Sequence, residues 1–65
     1  MVDVDELRGI IAKRGKSQAD VAKAIGIAPK TFYSKMKCGV FNTLEIDVIS
    51  DYLEIKEPWR IFFAK

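Results

Sequence analysis

Basic side chains are concentrated in the middle of this 65-residue sequence. Residues 8–37 contain eight lysines and arginines against one acid, Asp20, so this stretch has a net charge of +7 although the whole chain has only +2. The basic residues are Arg8, Lys13, Arg14, Lys16, Lys23, Lys30, Lys35 and Lys37. A local excess of positive charge is typical of a surface that binds a polyanion. The alternative is a solvated basic face with no partner.

Other kinds of chemistry have little support in the residue types. The chain has no histidine and one cysteine, Cys38, which excludes an internal disulfide and the mixed Cys/His zinc spacings. It also lacks a glycine-rich phosphate loop and a nucleophile beside a base. We therefore expect no enzyme activity, no cofactor or metal and no small-molecule substrate.

Length and composition predict one small globular domain spanning residues 1–65. Hydrophobic residues make up 49% of the chain and charged residues 31%, as in ordinary soluble proteins. The N-terminal segment MVDVDELRG is acidic, and no apolar run approaches the roughly 18 residues that a membrane span requires. We expect a cytoplasmic protein without a membrane partner.

Three segments begin with the same helix-start signal, a capping residue followed three positions later by an acid. The pairs are Asp3 with Glu6, Ser17 with Asp20, and Asn42 with Glu45. They predict helices over about 4–14, 18–25 and 43–54, with Gly15 ending the first.

The spacing of apolar residues agrees with these helices and adds others. The predicted inward stripes are Val4, Leu7, Ile10 and Ile11; Val21, Ala22 and Ile25; and Leu44, Val48, Ile49, Tyr52 and Leu53. Pro29 suits the first turn of a further helix, with Phe32 and Met36 inward, and residues 37–42 read as a loop. The tail after Pro58 favours a short helix, although Trp59, Ile61 and Phe63 also alternate like a strand.

Gly26 separates two short helices, over 18–25 and 28–37, in the pattern of a helix-turn-helix. The second helix of this motif leaves the first at about 90–120°, which asks for a left-handed backbone at the turn that glycine adopts without strain. Ala22 is small enough for a close approach of the two helices. Val21, Ile25, Ile27 and Phe32 are predicted to fill the space between them.

The motif resembles the helix-turn-helix of phage Cro and repressor proteins and their bacterial relatives, the xenobiotic-response-element class. The residues that carry the resemblance are Ser17, Gln18, Val21, Ala22, Ile25, Gly26, Ile27, Ala28, Thr31 and Phe32. It covers residues 4–55, and the closing Pro58 and Ile61-Phe62-Phe63 are similar to the ends of small phage-associated repressors. The chain departs from the family at Ala28, where serine or threonine usually caps the recognition helix, and at Lys35, where the apolar side chain is moved to Met36.

The resemblance implies an all-α, compact four- to five-helix bundle of the lambda repressor-like DNA-binding class. Residues 28–37 would be the recognition helix in the major groove. The implied base-reading residues are Pro29, Lys30, Tyr33, Ser34 and Lys37, and the implied phosphate contacts are Ser17, Gln18, Lys35, Asn42 and Thr43. As alternatives, Lys30 and Lys37 are ordinary solvated lysines, and Tyr33 belongs to the core.

The tail, residues 56–65, is a predicted dimerisation segment. One module buries only about 600–1,000 Å² on DNA, so paired modules discriminate better. Trp59, Ile61, Phe62 and Phe63 supply more apolar bulk than a cap over a small core requires, and we expect a homodimer through them and the fourth helix. The alternative is that the tail folds back to complete the core.

Together these features predict a sequence-specific transcriptional regulator that binds an operator in double-stranded DNA, with repression favoured. The alternative is a protein-binding module of helix-turn-helix shape, such as an antitoxin or an antirepressor. The salt dependence of DNA binding separates the two, because an apolar protein contact responds little to salt.

Overall fold

Five α-helices make up the chain in the computed structural model, which describes residues 2–63. They are α1 Val4–Lys13, α2 Gln18–Ile25, α3 Pro29–Cys38, α4 Thr43–Tyr52 and α5 Pro58–Phe62. No strand occurs within residues 2–63. The all-α prediction is confirmed, and the tail is helical over 58–62 rather than extended. Residues 64 and 65 of the predicted tail lie outside the described residues.

The predicted capping residues start three of the helices. The Asp3 side chain accepts a hydrogen bond from the Glu6 N–H at 3.1 Å. Ser17 with Asp20, and Asn42 with Glu45, form complete capping boxes with hydrogen bonds of 2.8–3.1 Å. α3 begins at Pro29 without a side-chain cap, as the alanine at position 28 predicts. The start of each helix is therefore set by residues within one turn of it.

The helix ends differ slightly from the predicted ones. α1 ends at Lys13 rather than 14, and α3 runs to Cys38 until Gly39 turns it with a φ of +71°. α4 ends at Tyr52, two residues early, because Glu54 takes a left-handed conformation with a φ of +56°. The Ile55 N–H then bonds the Ser50 carbonyl at 2.8 Å, which closes the helix with a Schellman-type turn.

The core is built from every helix. The largest fully buried side chains are Leu7, Val21, Phe32, Ile49 and Leu53. An aromatic row extends this centre, since the Phe32 and Phe41 ring centroids are 5.7 Å apart and the Phe41 and Phe62 centroids 6.1 Å apart. Phe62 thereby draws α5 into the core, and the Asp3 N–H donates to the Ile61 carbonyl at 2.7 Å. α3 thus rests on a core completed by both ends of the described chain.

One predicted core residue of α4 is on the surface instead. Leu44 is 76% exposed, whereas the neighbouring Glu45 is only 6% exposed. The buried side of α4 follows positions 45, 49 and 53, four residues apart, and Leu44 lies off that line. The prediction for Leu44 is therefore wrong, because the first turn of α4 is anchored by a polar side chain.

Each of the helices in residues 2–63 is too short to cross a bilayer, since a helical span needs about 20 residues.

Candidate nucleic-acid interface

The turn between α2 and α3 has the backbone that the sequence predicts. Gly26 is left-handed, with a φ of +89°, and its N–H donates to the Ala22 carbonyl at 2.9 Å. The Ile27 N–H bonds the same carbonyl at 3.0 Å, so α2 stops within one residue. A Cβ added at Gly26 would meet nothing within 4 Å, so the dihedral angle and not the space requires glycine. Ala22 is fully buried, as expected for a point of close helix approach.

α3 has one buried and one exposed side. Phe32 and Met36 are buried, which confirms the predicted inner face, and α2 packs against both α3 and α4. The five predicted base-reading residues are all exposed: Pro29, Lys30, Tyr33, Ser34 and Lys37. Their spacing of three and four residues places them on one side of the helix. Tyr33 is 49% exposed, so its assignment to the core is wrong.

The predicted phosphate contacts lie at the starts of two helices, apart from Lys35. Ser17 is the N-cap of α2 and Gln18 its first residue, while Asn42 is the N-cap of α4 and Thr43 its first residue. Gln18 is half-buried and the other three are exposed. Helix N-termini carry partial positive charge and favour anions. The Asn42 cap uses Oδ1, so its amide nitrogen is the group suited to a phosphate oxygen.

Lys35 stands apart from the other predicted contacts because its ammonium is paired inside the protein. Its Nζ lies 3.1 Å from Glu45 Oε2, and its side chain is 29% exposed. Glu45 Oε1 accepts from the Asn42 N–H at 2.9 Å, so one carboxylate joins α3 to the start of α4. The sequence predicts only a capping role for Glu45. The sequence places Lys35 three residues after Phe32, beside the inner face, but no local spacing identifies Glu45 as its partner.

Several other basic residues of the middle stretch also have partners within the protein. The Arg14 guanidinium donates to the Leu53 and Glu54 carbonyls at 2.8 and 3.3 Å. Lys16 Nζ lies 5.2 Å from the centroid of the Tyr52 ring, a cation–π arrangement. Arg8 pairs with Asp5 at 3.2 Å on the surface. Some of the positive side chains in this stretch therefore make contacts within the protein, and others lie on the exposed side of α3.

Asp20, the one acid in the basic stretch, has a pKa held below its usual range. The main cause is the hydrogen bond that its carboxylate accepts from the Ser17 backbone N–H, at 2.9 Å. The Ser17 side chain and the positive charges of Lys16 and Lys23 act in the same direction. The capping box at the start of α2 thus favours a charged aspartate.

The four predicted tail residues divide into two groups. Ile61 and Phe62 are buried in the core at 5% and 2% exposure, as the alternative reading of the tail expects. Trp59 and Phe63 are 59% and 66% exposed. Burial leaves only these two of the four able to contact a second copy without rearrangement.

Residues 6–58 match a family described as the Cro/C1-type HTH DNA-binding domain. The match spans α1 from Glu6 to the first residue of α5 and includes α2, the turn and α3. Comparisons with curated proteins and with solved structures gave no match. The helix-turn-helix resemblance is thereby confirmed over most of the sequence.

Proposed function

This chain belongs to the family of Cro/C1-type helix-turn-helix DNA-binding domains, and from that premise we propose that it is a phage or prophage repressor. It would bind an operator in double-stranded DNA through the major groove and act in the cytoplasm. The observation that carries this proposal is the exposed polar side of α3, held outward by the buried Phe32 and Met36. An α-helix with such a side fits the major groove of B-DNA.

Base reading is assigned to the exposed side of α3. Lys30 lies near the N-terminus of the helix, where recognition helices meet base edges, and its ammonium suits guanine O6 and N7. The Ser34 hydroxyl pairs with several bases, and the Tyr33 ring suits a thymine methyl. Pro29 and Lys37 complete this side at its two ends.

Phosphate binding is assigned to the starts of α2 and α4 and to Lys35. Ser17 and Gln18 would hold one phosphate, and Asn42 and Thr43 another, with the partial positive charge of each helix end adding to the attraction. Such contacts position a protein on the duplex without reading its sequence. The two helix starts would therefore set the register in which α3 enters the groove.

We also propose that the repressor binds as a homodimer on paired half-sites about 34 Å apart. Trp59 and Phe63 are exposed aromatic side chains at the end of the described chain, which supports a contact between copies there. Sedimentation of the protein, alone and with operator DNA, measures its oligomeric state. A monomer at high concentration in both cases would rule the dimer out.

The experiment that tests the main proposal is selection of bound duplexes from a random-sequence pool, followed by titration of the best duplex at increasing salt. We expect a recurrent sequence with two-fold symmetry and a logarithmic salt slope of about −0.9 for each phosphate neutralised. Recovery of no recurrent sequence, with binding that is weak at low salt, would refute the repressor.

A second candidate function is binding to a protein, as in an antitoxin or an antirepressor. The observation in its favour is the exposure of Trp59 and Phe63, since exposed apolar side chains suit a protein partner. Substituting Trp59 and Phe63 with serine distinguishes protein binding from DNA binding. If the selected duplex still binds while a protein partner is lost, the tail serves that partner.

A further inference from the structure

The Glu45 side chain is the buried acid of the described chain, and both of its oxygens are used. Oε1 accepts the Asn42 backbone N–H at 2.9 Å, and Oε2 lies 3.1 Å from the Lys35 ammonium. The Glu45 N–H in turn donates to Asn42 Oδ1 at 2.8 Å. Glu45 as a residue is only 6% exposed, and its carboxylate is thus held from two sides. The capping box fixes where the negative charge lies, independently of Lys35.

Lys35 has an ion-pair partner, unlike the other lysines of α3. Lys30 and Lys37 are exposed, and within residues 2–63 neither has an ion-pair partner. The flexible Lys35 side chain is tied by its end to the first turn of α4, next to the cap that Asn42 forms. Its ammonium has three hydrogens, and the side chain keeps 29% of its surface exposed, so a further acceptor can reach it.

We propose that Glu45 is a positioning residue for DNA recognition, acting through Lys35; this rests on the proposed function. Glu45 holds the Lys35 ammonium beside the N-terminus of α4, where one phosphate meets the ammonium and the Asn42 cap together. The same carboxylate reduces the attraction of Lys35 for phosphates elsewhere on the DNA. Both effects favour the operator over other DNA. The positioned ammonium strengthens binding only where a phosphate lies beside the start of α4. The reduced charge weakens the unspecific attraction to all other DNA.

Glu45→Gln tests this inference directly. Glutamine has the same shape and still accepts the Asn42 N–H, so the cap is kept while the charge that holds Lys35 is lost. Affinities are measured for the duplex selected by the wild-type protein and for a scrambled duplex of equal composition. We expect the ratio of the two affinities to fall roughly tenfold, the effect of one lost charge-assisted contact. The salt slope on the scrambled duplex should steepen by up to about 0.9.

The matched control is Asp47→Asn, which removes the same charge from an exposed position of the same helix. It should raise both affinities together and leave their ratio unchanged. An E45Q variant that keeps the wild-type ratio, or that changes it only as much as D47N does, would overturn the inference. A wild-type protein that prefers no duplex would overturn the proposed function as well.

A double variant distinguishes the positioning role of Glu45 from a merely structural one. For this test, the effect of E45Q is measured again in a Lys35→Gln background. If Glu45 acts through Lys35, E45Q has no further effect on the ratio there. A further fall in that background would overturn the inference. Should E45Q fail to fold, as judged by circular dichroism, Lys35→Arg and Lys35→Gln serve instead. Arginine keeps a cation on Glu45 and should retain the ratio, whereas glutamine should lower it; equal losses would contradict the positioning role.

Discussion

The Arg14 guanidinium caps the C-terminal end of α4, donating from Nε to the Leu53 carbonyl at 2.8 Å. A second nitrogen, Nη2, lies 3.3 Å from the Glu54 carbonyl. Arg14 itself is the C-cap of α1, so one side chain joins the ends of two helices through residues that are 39 positions apart in the chain. The carbonyls at a helix end lack helical partners and attract positive charge.

Arg14→Met should lower the free energy of unfolding by about 1–2 kcal/mol, the usual effect of losing a charge-assisted hydrogen bond to a partly buried carbonyl. Methionine keeps most of the apolar stem and removes the donors. Urea denaturation followed by circular dichroism measures the change. The control is Lys13→Met at the neighbouring exposed position, which should change stability little. Equal losses in the two variants would show that the Arg14 cap adds no stability.

Glu54→Gly should stabilise the fold. Glu54 is left-handed with a φ of +56°, in a place where the ends of α1, α2 and α3 have Gly15, Gly26 and Gly39 at positive φ. A non-glycine residue in this conformation costs about 1–2 kcal/mol, and the extra freedom of glycine in the unfolded chain offsets about 0.5–1 kcal/mol. Thermal melting should therefore show a small gain. Glu54→Ala keeps the strain and should give none, so a matching gain from alanine would assign the effect to the lost charge.

Gly26→Ala should destabilise the protein by about 1 kcal/mol, because the left-handed backbone is strained for alanine. Steric overlap does not contribute, since the added Cβ has no neighbour within 4 Å. Gly9→Ala is the matched control, because Gly9 lies in α1 and its Cβ also has open space. Alanine there should stabilise by about 0.5–1 kcal/mol. Chemical denaturation of both variants should give changes of opposite sign.

Asp20 should make stability depend on pH in the acidic range. Its pKa is lower in the folded protein than in the unfolded chain, so the unfolded state binds the proton more readily. The stabilisation is complete above the ordinary aspartate range, near 4, and is lost as the pH falls through the lower folded pKa. Asp20→Asn should be less stable than the wild type at neutral pH, and this difference should shrink on acidification. Urea melts at a series of pH values would show it; a constant difference would contradict the assignment.

Lys30→Ala should relax base preference at one position of the selected duplex, costing about 1–3 kcal/mol there. The reason is that a base-edge contact discriminates among sequences, whereas a phosphate contact does not. Lys35→Ala, by comparison, should lower the affinity for the selected duplex and for its single-base variants by the same factor, so the base preference at each position is kept. Affinities for single-base variants of the selected duplex measure both effects. If neither substitution altered DNA binding, α3 would not be the recognition helix.

Much of the fold was predictable because its signals are local. Capping boxes join residues three apart, and the apolar side of a helix follows from its period, so α2 was predicted with its exact bounds. The exposed side of α3 follows in the same way from the inward spacing of Phe32 and Met36, which are buried. α4 ends two residues before its predicted end. The left-handed residue that ends it is Glu54 and not a glycine, so the sequence does not mark the turn.

By itself, the sequence determined where helices begin, the turn at Gly26 and the side of α3 that faces outward, since each depends on neighbours within one or two turns. Only the tertiary structure decided that Lys35 meets Glu45 and that Arg14 caps α4. It also placed Leu44 outside the core and divided the tail into buried and exposed residues. These outcomes depend on how helices distant in the chain lie against one another, which no local spacing specifies.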